Sequence, residues 1–165
     1  MHLVGQVAPL FKTASYDPKT KAHTLTELSK LTEENKWVLL FFYPLDFSSL
    51  CPVELKELAK YENDFESLNT EVLTVSIDSP YSHEAWVEKD LKDFPYTMLS
   101  DITKRLSRDY GVHEEVKGVA LRGTFIIDPQ GYVQHHQCNN LSTKRSSKHL
   151  VETLKEVQKQ YESKK

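Results

Sequence analysis

Two cysteines, Cys51 and Cys138, are the only thiols in this 165-residue chain, and they stand 87 positions apart. That separation excludes a CxxC redox pair and a four-cysteine zinc site, and two thiols are too few for a disulfide-stapled scaffold. Sulfur chemistry must rest on one thiol, or on two that meet in space. Cys51 precedes Pro52, and Leu55, Leu58, Ala59, Phe65 and Leu68 follow at helical spacing. Proline suits the first helical position, so Cys51 is expected at or just before a helix N-terminus. Unpaired N–H groups and about half a positive charge at such a terminus favour thiolate over thiol. Ser48 stands just ahead and could aim its hydroxyl at the sulfur or at a bound oxygen. The competing reading is a buried cysteine packed as a small hydrophobe.

Other reactive residues offer less. His135, His136 and Cys138 suggest a metal site, but adjacent residues on a strand point to opposite faces, and zinc wants three or four convergent ligands. No metal and no cofactor is therefore expected. His83 reads as structural, near the start of a helix. No Ser-His-Asp or Cys-His-Asn set is recognisable by spacing. The chain has only five glycines, and neither GxGxxG nor GxxxxGK[ST] occurs, which argues against a glycine-rich phosphate cradle.

The net charge is −3, from 21 basic and 24 acidic residues, and the sole basic block is Lys164-Lys165. A nucleic-acid partner is not expected. The longest apolar run, Trp37 to Leu45, includes Pro44 and is far too short for a membrane span. The first residues lack the basic start and apolar stretch of a signal peptide. A cytoplasmic location is expected, in keeping with two unpaired thiols.

The elements that must position Cys51 can be read in order. A loop or short hairpin lies around Tyr16-Asp17-Pro18-Lys19, followed by a short helix that Thr24 is expected to cap. Trp37 to Tyr43 is continuously apolar, a central strand buried on both faces. The helix from Cys51 follows, and then a strand over Glu71 to Ile77. Asp78-Ser79-Pro80 opens another helix, Phe94 to Leu99 is extended, and a short helix lies around Thr103 to Tyr110. Asp128-Pro129-Gln130-Gly131 is a hairpin turn between two strands. Leu150, Val151, Leu154, Val157 and Tyr161 form the stripe of a last helix. This order predicts one α/β domain over residues 1–165, a mixed central sheet flanked by helices.

The words around the cysteine carry a resemblance. Phe41-Phe42-Tyr43-Pro44-Leu45-Asp46-Phe47-Ser48-Ser49-Leu50-Cys51-Pro52-Val53-Glu54 resembles the peroxiredoxin active-site signature. Three further words match the same family in the right order: Ser76 to Trp86, Ser107 to Val112, and Leu121 to Asp128. The chain is thus similar to the alkyl hydroperoxide reductase C, or typical two-cysteine, branch over roughly residues 3–160. The resemblance implies a thioredoxin-like fold and a thiol peroxidase acting on hydrogen peroxide and organic hydroperoxides. It implies that Cys51 is the peroxidatic thiolate, oxidised to sulfenic acid. Ser48 would bind peroxide and sulfur, Arg122 would stabilise the charge on the departing oxygen, and Pro44 would shield the pocket. Glu54 and Arg145 would organise the arginine beside the thiol. Because Pro52 has no N–H, the amides of Cys51 and Val53 are the expected backbone donors.

Departures from the family sharpen the expectation. No Val-Cys-Pro resolving arm follows the last helix before Lys165, and no Gly-Gly-Leu-Gly insert lies between Trp86 and Phe94. Ser49 replaces an aromatic residue and Val53 a threonine. These changes leave the peroxide-reducing step in place and put the recycling step on an outside thiol: thioredoxin, glutaredoxin or a low-molecular-weight thiol. Cys138 is the only internal candidate resolver, at a strand position where the family usually has an aliphatic residue. The expected assembly is a homodimer, with rings as a higher form. Two other classes stay open: a redox sensor or chaperone-like protein that relays oxidation to a partner, and a relic with little turnover.

Overall fold

The computed structural model describes residues 2–164. A seven-stranded mixed sheet has the order β2 (Ala22–Glu27), β1 (Lys12–Asp17), β5 (Thr97–Ser100), β4 (Thr70–Ser76), β3 (Trp37–Phe42), β8 (Arg122–Ile127) and β9 (Val133–Asn139). β3 is an interior strand, every residue of which is buried, as a continuous apolar strand requires. β3 pairs parallel with β4 (Thr70–Ser76) and antiparallel with β8 (Arg122–Ile127). β5 (Thr97–Ser100) lies parallel to β4, and β9 (Val133–Asn139) closes the far side as an edge strand. The turn from Asp128 to Gly131 joins β8 and β9, with Gly131 at φ 91, where glycine meets no Cβ penalty. The mixed sheet with flanking helices is the predicted architecture.

The pleat sorts the core into two layers. Leu39, Phe41 and Ile126 face one side, with Leu55, Leu58, Leu150, Val151 and Leu154. Val38, Leu40, Phe42, Phe125 and Ile127 face the other, with Leu28, Leu106, Tyr110 and Val112. The first layer lies beneath α2 (Cys51–Ala59) and α6 (Ser147–Ser163). α6 buries Leu150, Val151 and Leu154, three members of the predicted stripe, and its N-cap Ser146 accepts from the amide of His149 at 3.2 Å.

Two local expectations are corrected and one small element is added. Thr24 caps no helix: Ala22–Glu27 is β2, paired antiparallel with β1 (Lys12–Asp17). Ser15 sits opposite Thr24, with their hydroxyls 2.7 Å apart, so that cross-strand contact replaces the cap. The helix α1 (Leu28–Glu33) begins just after. The long helix from Cys51 is two helices, α2 and α3 (Glu62–Ser67). The Tyr96 hydroxyl donates to the Leu58 carbonyl at 2.7 Å, and Tyr61 N–H reaches back to the same carbonyl in a tightened last turn. Finally, β6 (His113–Glu114) and β7 (Val119–Ala120) form a small separate hairpin, too short to leave a periodic signal. α4 (Pro80–Asp90) and α5 (Arg105–Asp109) lie where the helical signals put them, with Ser79 capping α4.

Candidate active site

The loop after β3 delivers Cys51 as the first residue of α2, with Pro52 next in the turn. The leading amides of a helix have no carbonyl partner within it, so Cys51 and Val53 present N–H groups at this end. The sulfur is fully buried and Pro44 is buried nearby in the chain. Arg122, the first residue of β8, donates from Nη1 to Cys51 Sγ at 3.4 Å and from the same nitrogen to Glu54 Oε1 at 2.6 Å. Its Nε donates to the Leu141 carbonyl at 2.9 Å, which fixes the guanidinium plane.

Glu54 lies one turn beyond the cysteine, on the helix face that meets the sheet. Besides Arg122, it receives the backbone amide of Arg145 at 2.8 Å, its Nε at 2.9 Å and its Nη2 at 2.9 Å. Arg145 also donates to the Gly123 carbonyl and to Thr124 Oγ1, and its guanidinium carbon lies 3.5 Å from the centre of the Phe41 ring. Burial pushes the Glu54 carboxyl up, but the two arginines outweigh burial and hold it below the usual carboxylate range. One carboxylate between two guanidinium groups leaves a net positive charge facing the sulfur. The three groups named from the sequence, Arg122, Glu54 and Arg145, are therefore brought together with Cys51.

Ser48 sits differently. Its hydroxyl donates to the Leu45 carbonyl at 2.7 Å, inside the loop. A hydroxyl so engaged keeps its lone pairs free to accept from an incoming peroxide.

Cys138 is held away from Cys51 by register. It lies opposite Gly123 in the β8–β9 ladder, and paired residues on an antiparallel ladder share a face. Gly123 faces Val112 and Phe125, in the layer opposite the one that holds Cys51. Cys138 is exposed, and burial of its sulfur nevertheless pushes the thiol up, with Arg145 as a smaller opposing influence. His135 and His136 split across the sheet as alternation requires: His136 stacks on Phe125 with centroids 4.3 Å apart. Burial lowers both imidazoles, aided by His149 at His135 and by His135 at His136.

These distances meet a recognisable pattern. The sequence pattern of the AhpC/TSA family matches residues 4–136. This chain belongs to the AhpC/TSA family, the peroxiredoxins. It is 43% identical over 162 residues to the chloroplastic 2-Cys peroxiredoxin BAS1 of Spinacia oleracea, covering 94% of this chain and 60% of that one. It is 44% identical over 161 residues to the mitochondrial thioredoxin-dependent peroxide reductase of Mus musculus, covering 94% and 61%. The chain thus spans about three fifths of these two relatives. The crystal structure of Enterococcus faecalis AhpC superposes with a TM-score of 0.91 at 33% identity, covering 100% of this chain and 98% of that one. Reduced Plasmodium vivax 2-Cys peroxiredoxin superposes at 0.93 and 35% identity, covering 98% and 85%. This peroxiredoxin has no helix among its described residues long and apolar enough to cross a membrane.

Sequence reasoning missed one part of the site. Tyr43, Asp46, Ser76, Asp78, Ser82 and His83 join in a polar cluster beneath the loop, and none of these residues stands at a spacing that signals it. The Tyr43 hydroxyl donates to Asp46 Oδ1 at 2.6 Å, and Ser82 Oγ donates to Asp46 Oδ2 at 2.9 Å. His83 Nδ1 lies 2.8 Å from Asp46 Oδ2, and its Nε2 lies 3.0 Å from the Leu99 carbonyl. Burial, then the Asp46 charge, pushes the Asp78 carboxyl above the usual range. The sequence itself shows only that His83 stands near the start of a helix.

Proposed function

We propose that this peroxiredoxin reduces hydrogen peroxide and organic hydroperoxides through a sulfenic acid on Cys51, with an outside thiol completing each turnover. The observation that carries the reading is the buried Cys51 sulfur at the start of α2 with the Arg122 guanidinium 3.4 Å away. An O–O bond needs an aligned nucleophile and stabilisation of the departing oxyanion. Cys51 sulfur attacks the nearer peroxide oxygen, the S–O bond forms, the O–O bond breaks, and the electron pair leaves on the distal oxygen. That oxygen takes up a proton and departs as water or alcohol. Sulfur has lost two electrons, and Cys51 is sulfenic acid.

Each neighbour has a part in this step. Arg122 donates toward the sulfur and the oxygen that accumulates charge, and Glu54 with Arg145 fixes its position. The amides of Cys51 and Val53 add backbone donors, Ser48 receives the peroxide hydrogen, and Pro44 keeps bulk water from the sulfur. The sulfenic acid then meets a thiol, releases water and forms a disulfide, which a second thiol reduces. The placement of Cys138 on the other face of the sheet favours an external thiol, since a disulfide needs Cα atoms within about 7 Å. Thioredoxin, glutaredoxin and low-molecular-weight thiols are the donor classes. The name of the Mus musculus relative speaks for thioredoxin.

A homodimer joined along β9, the free edge of the sheet, and rings of such dimers belong to the same proposal. A cytoplasmic location rests on the unpaired thiols alone, and the relatives cited above are named chloroplastic and mitochondrial.

The test is stopped-flow peroxide consumption by the reduced protein, followed by intact mass after one equivalent. Wild type should react far faster than a free thiol and gain one oxygen, or a donor adduct when a thiol is present. Cys51→Ser should abolish the reaction. Unchanged consumption in Cys51→Ser overturns the reading, and a Cys51–Cys138 disulfide overturns the external-thiol step.

A further inference from the structure

The loop that leads to the thiol stands on a buried cluster that the peroxide step does not use. Among the described residues, every hydrogen bond tying residues 44–48 to the rest of the fold runs through Asp46. Its carboxylate takes the Tyr43 and Ser82 hydroxyls and the His83 ring, and its backbone amide donates to Asp78 Oδ2 at 2.8 Å. Ser76 Oγ in turn donates to the same Asp78 oxygen at 2.7 Å. The Asp46 and His83 side chains are both wholly buried.

His83 is the strut of this cluster. Its Nδ1 lies against Asp46 Oδ2 and its Nε2 against the Leu99 carbonyl on β5. The ring thus spans from the sheet to the loop. The loop needs such an anchor, because Phe47 sits at φ 62, a left-handed conformation that costs a residue with a Cβ. Its ring is half exposed and lies 6.2 Å from that of Trp86, which gives it little apolar hold.

We propose that Asp46 and His83 are positioning residues for the attack by Cys51: a latch that holds the loop onto the C-terminal ends of β3 and β4 and keeps the sulfur closed in beside Arg122. The proposal rests on the reading of Cys51 as the attacking thiol. Neither residue touches the sulfur. With the latch broken, the loop lifts, Ser48 and Pro44 leave their places, and the sulfur is exposed to reagents while losing its alignment.

The experiment uses Asp46→Asn and His83→Gln in a Cys138→Ser background, with Leu154→Ala, a core truncation under α6, as a control for lost stability. Two rates are read on folded, reduced protein: peroxide reaction by stopped flow, and Cys51 alkylation by neutral iodoacetamide, resolved by peptide mass. Both latch variants should lose roughly tenfold or more in peroxide rate. Both should gain roughly tenfold in alkylation, as a local opening does. Leu154→Ala should leave both rates within about twofold, because it changes global stability and not the loop. Latch variants that keep both rates, or a control that moves them equally, would overturn the proposal. Should either latch variant fail to fold, Tyr43→Phe and Ser82→Ala each remove one donor to Asp46 and leave the Asp46–His83 contact in place. Those should shift both rates about threefold in the same directions, the size expected for one lost hydrogen bond, and no shift overturns the latch. If wild type fails to consume peroxide, the peroxidase reading falls, and the alkylation contrast still decides the latch.

Discussion

Arg122 does two jobs with one nitrogen, since Nη1 reaches both Cys51 Sγ and Glu54 Oε1 while Nε holds the Leu141 carbonyl. A lysine has one donor centre and cannot reproduce that fork. Arg122→Lys should therefore lower the peroxide rate constant by roughly a hundredfold, in the range seen when one preorganised donor is lost. Stopped-flow kinetics of the reduced variant measures it. Cys138 makes the opposite case. Its sulfur lies on the opposite face of the sheet from Cys51, so Cys138→Ser should change the peroxide rate by less than about twofold. Its thiol is pushed up by burial, so the reactive thiolate is scarce at neutral pH. Alkylation of Cys138 should climb roughly tenfold per pH unit on the way to its titration, as thiolate chemistry requires. A flat profile between neutral and alkaline pH would contradict that.

At the scale of elements, Glu54 is the joint between α2, β8 and the segment entering α6. It accepts one hydrogen bond from Arg122 on one side and three from Arg145, two from the guanidinium and one from the backbone amide, on the other. Glu54→Gln strands two buried guanidinium groups and should cost about 3–5 kcal/mol, read from urea denaturation at neutral pH. The pH dependence has a defined sign. The native Glu54 carboxyl is held below its ordinary value, so its stabilisation is complete above the usual carboxylate range. It is lost as pH falls through the lower native value. The difference in stability between wild type and Glu54→Gln should narrow on acidification and be constant from weakly acidic to neutral pH.

At the scale of the molecule, the sheet separates two layers, one supporting the thiol and one remote from it. Phe125 packs in the remote layer against Phe42, Tyr110 and His136. Phe125→Ala should cost about 3–5 kcal/mol through the cavity it leaves. Its Cys51 peroxide rate should nevertheless stay within about threefold of wild type, because the lost contacts lie across the sheet. Denaturant midpoints and stopped-flow rates on the same preparation would decide it.

Much of this plan was legible in the residues. The apolar run Trp37 to Tyr43 read as a central strand because every position is apolar, and all of β3 is indeed buried. Cys51 read as a helix start because Pro52 and the following spacing allow little else, and it is the first residue of α2. Thr24 misled because a threonine followed three positions on by Glu27 fits a helix cap and a hairpin strand alike, and only the Ser15 contact across the ladder decides between them.

What the sequence determined by itself was the local chemistry: a thiol at a helix N-terminus, few glycines, no metal-ligand spacing, and words that resemble one family. Chain spacing governs such properties because they depend on neighbours a few residues away. The tertiary structure alone decided which distant groups converge. Arg122 and Arg145 meet Cys51 and Glu54 because β8 pairs with β3 and its pleat turns Arg122 toward α2. The same pleat, one residue on, turns Gly123 and its partner Cys138 to the other face. A parity of one residue in a strand register thus divides the two cysteines, and parity is fixed by pairing across the sheet, not by anything written beside either thiol.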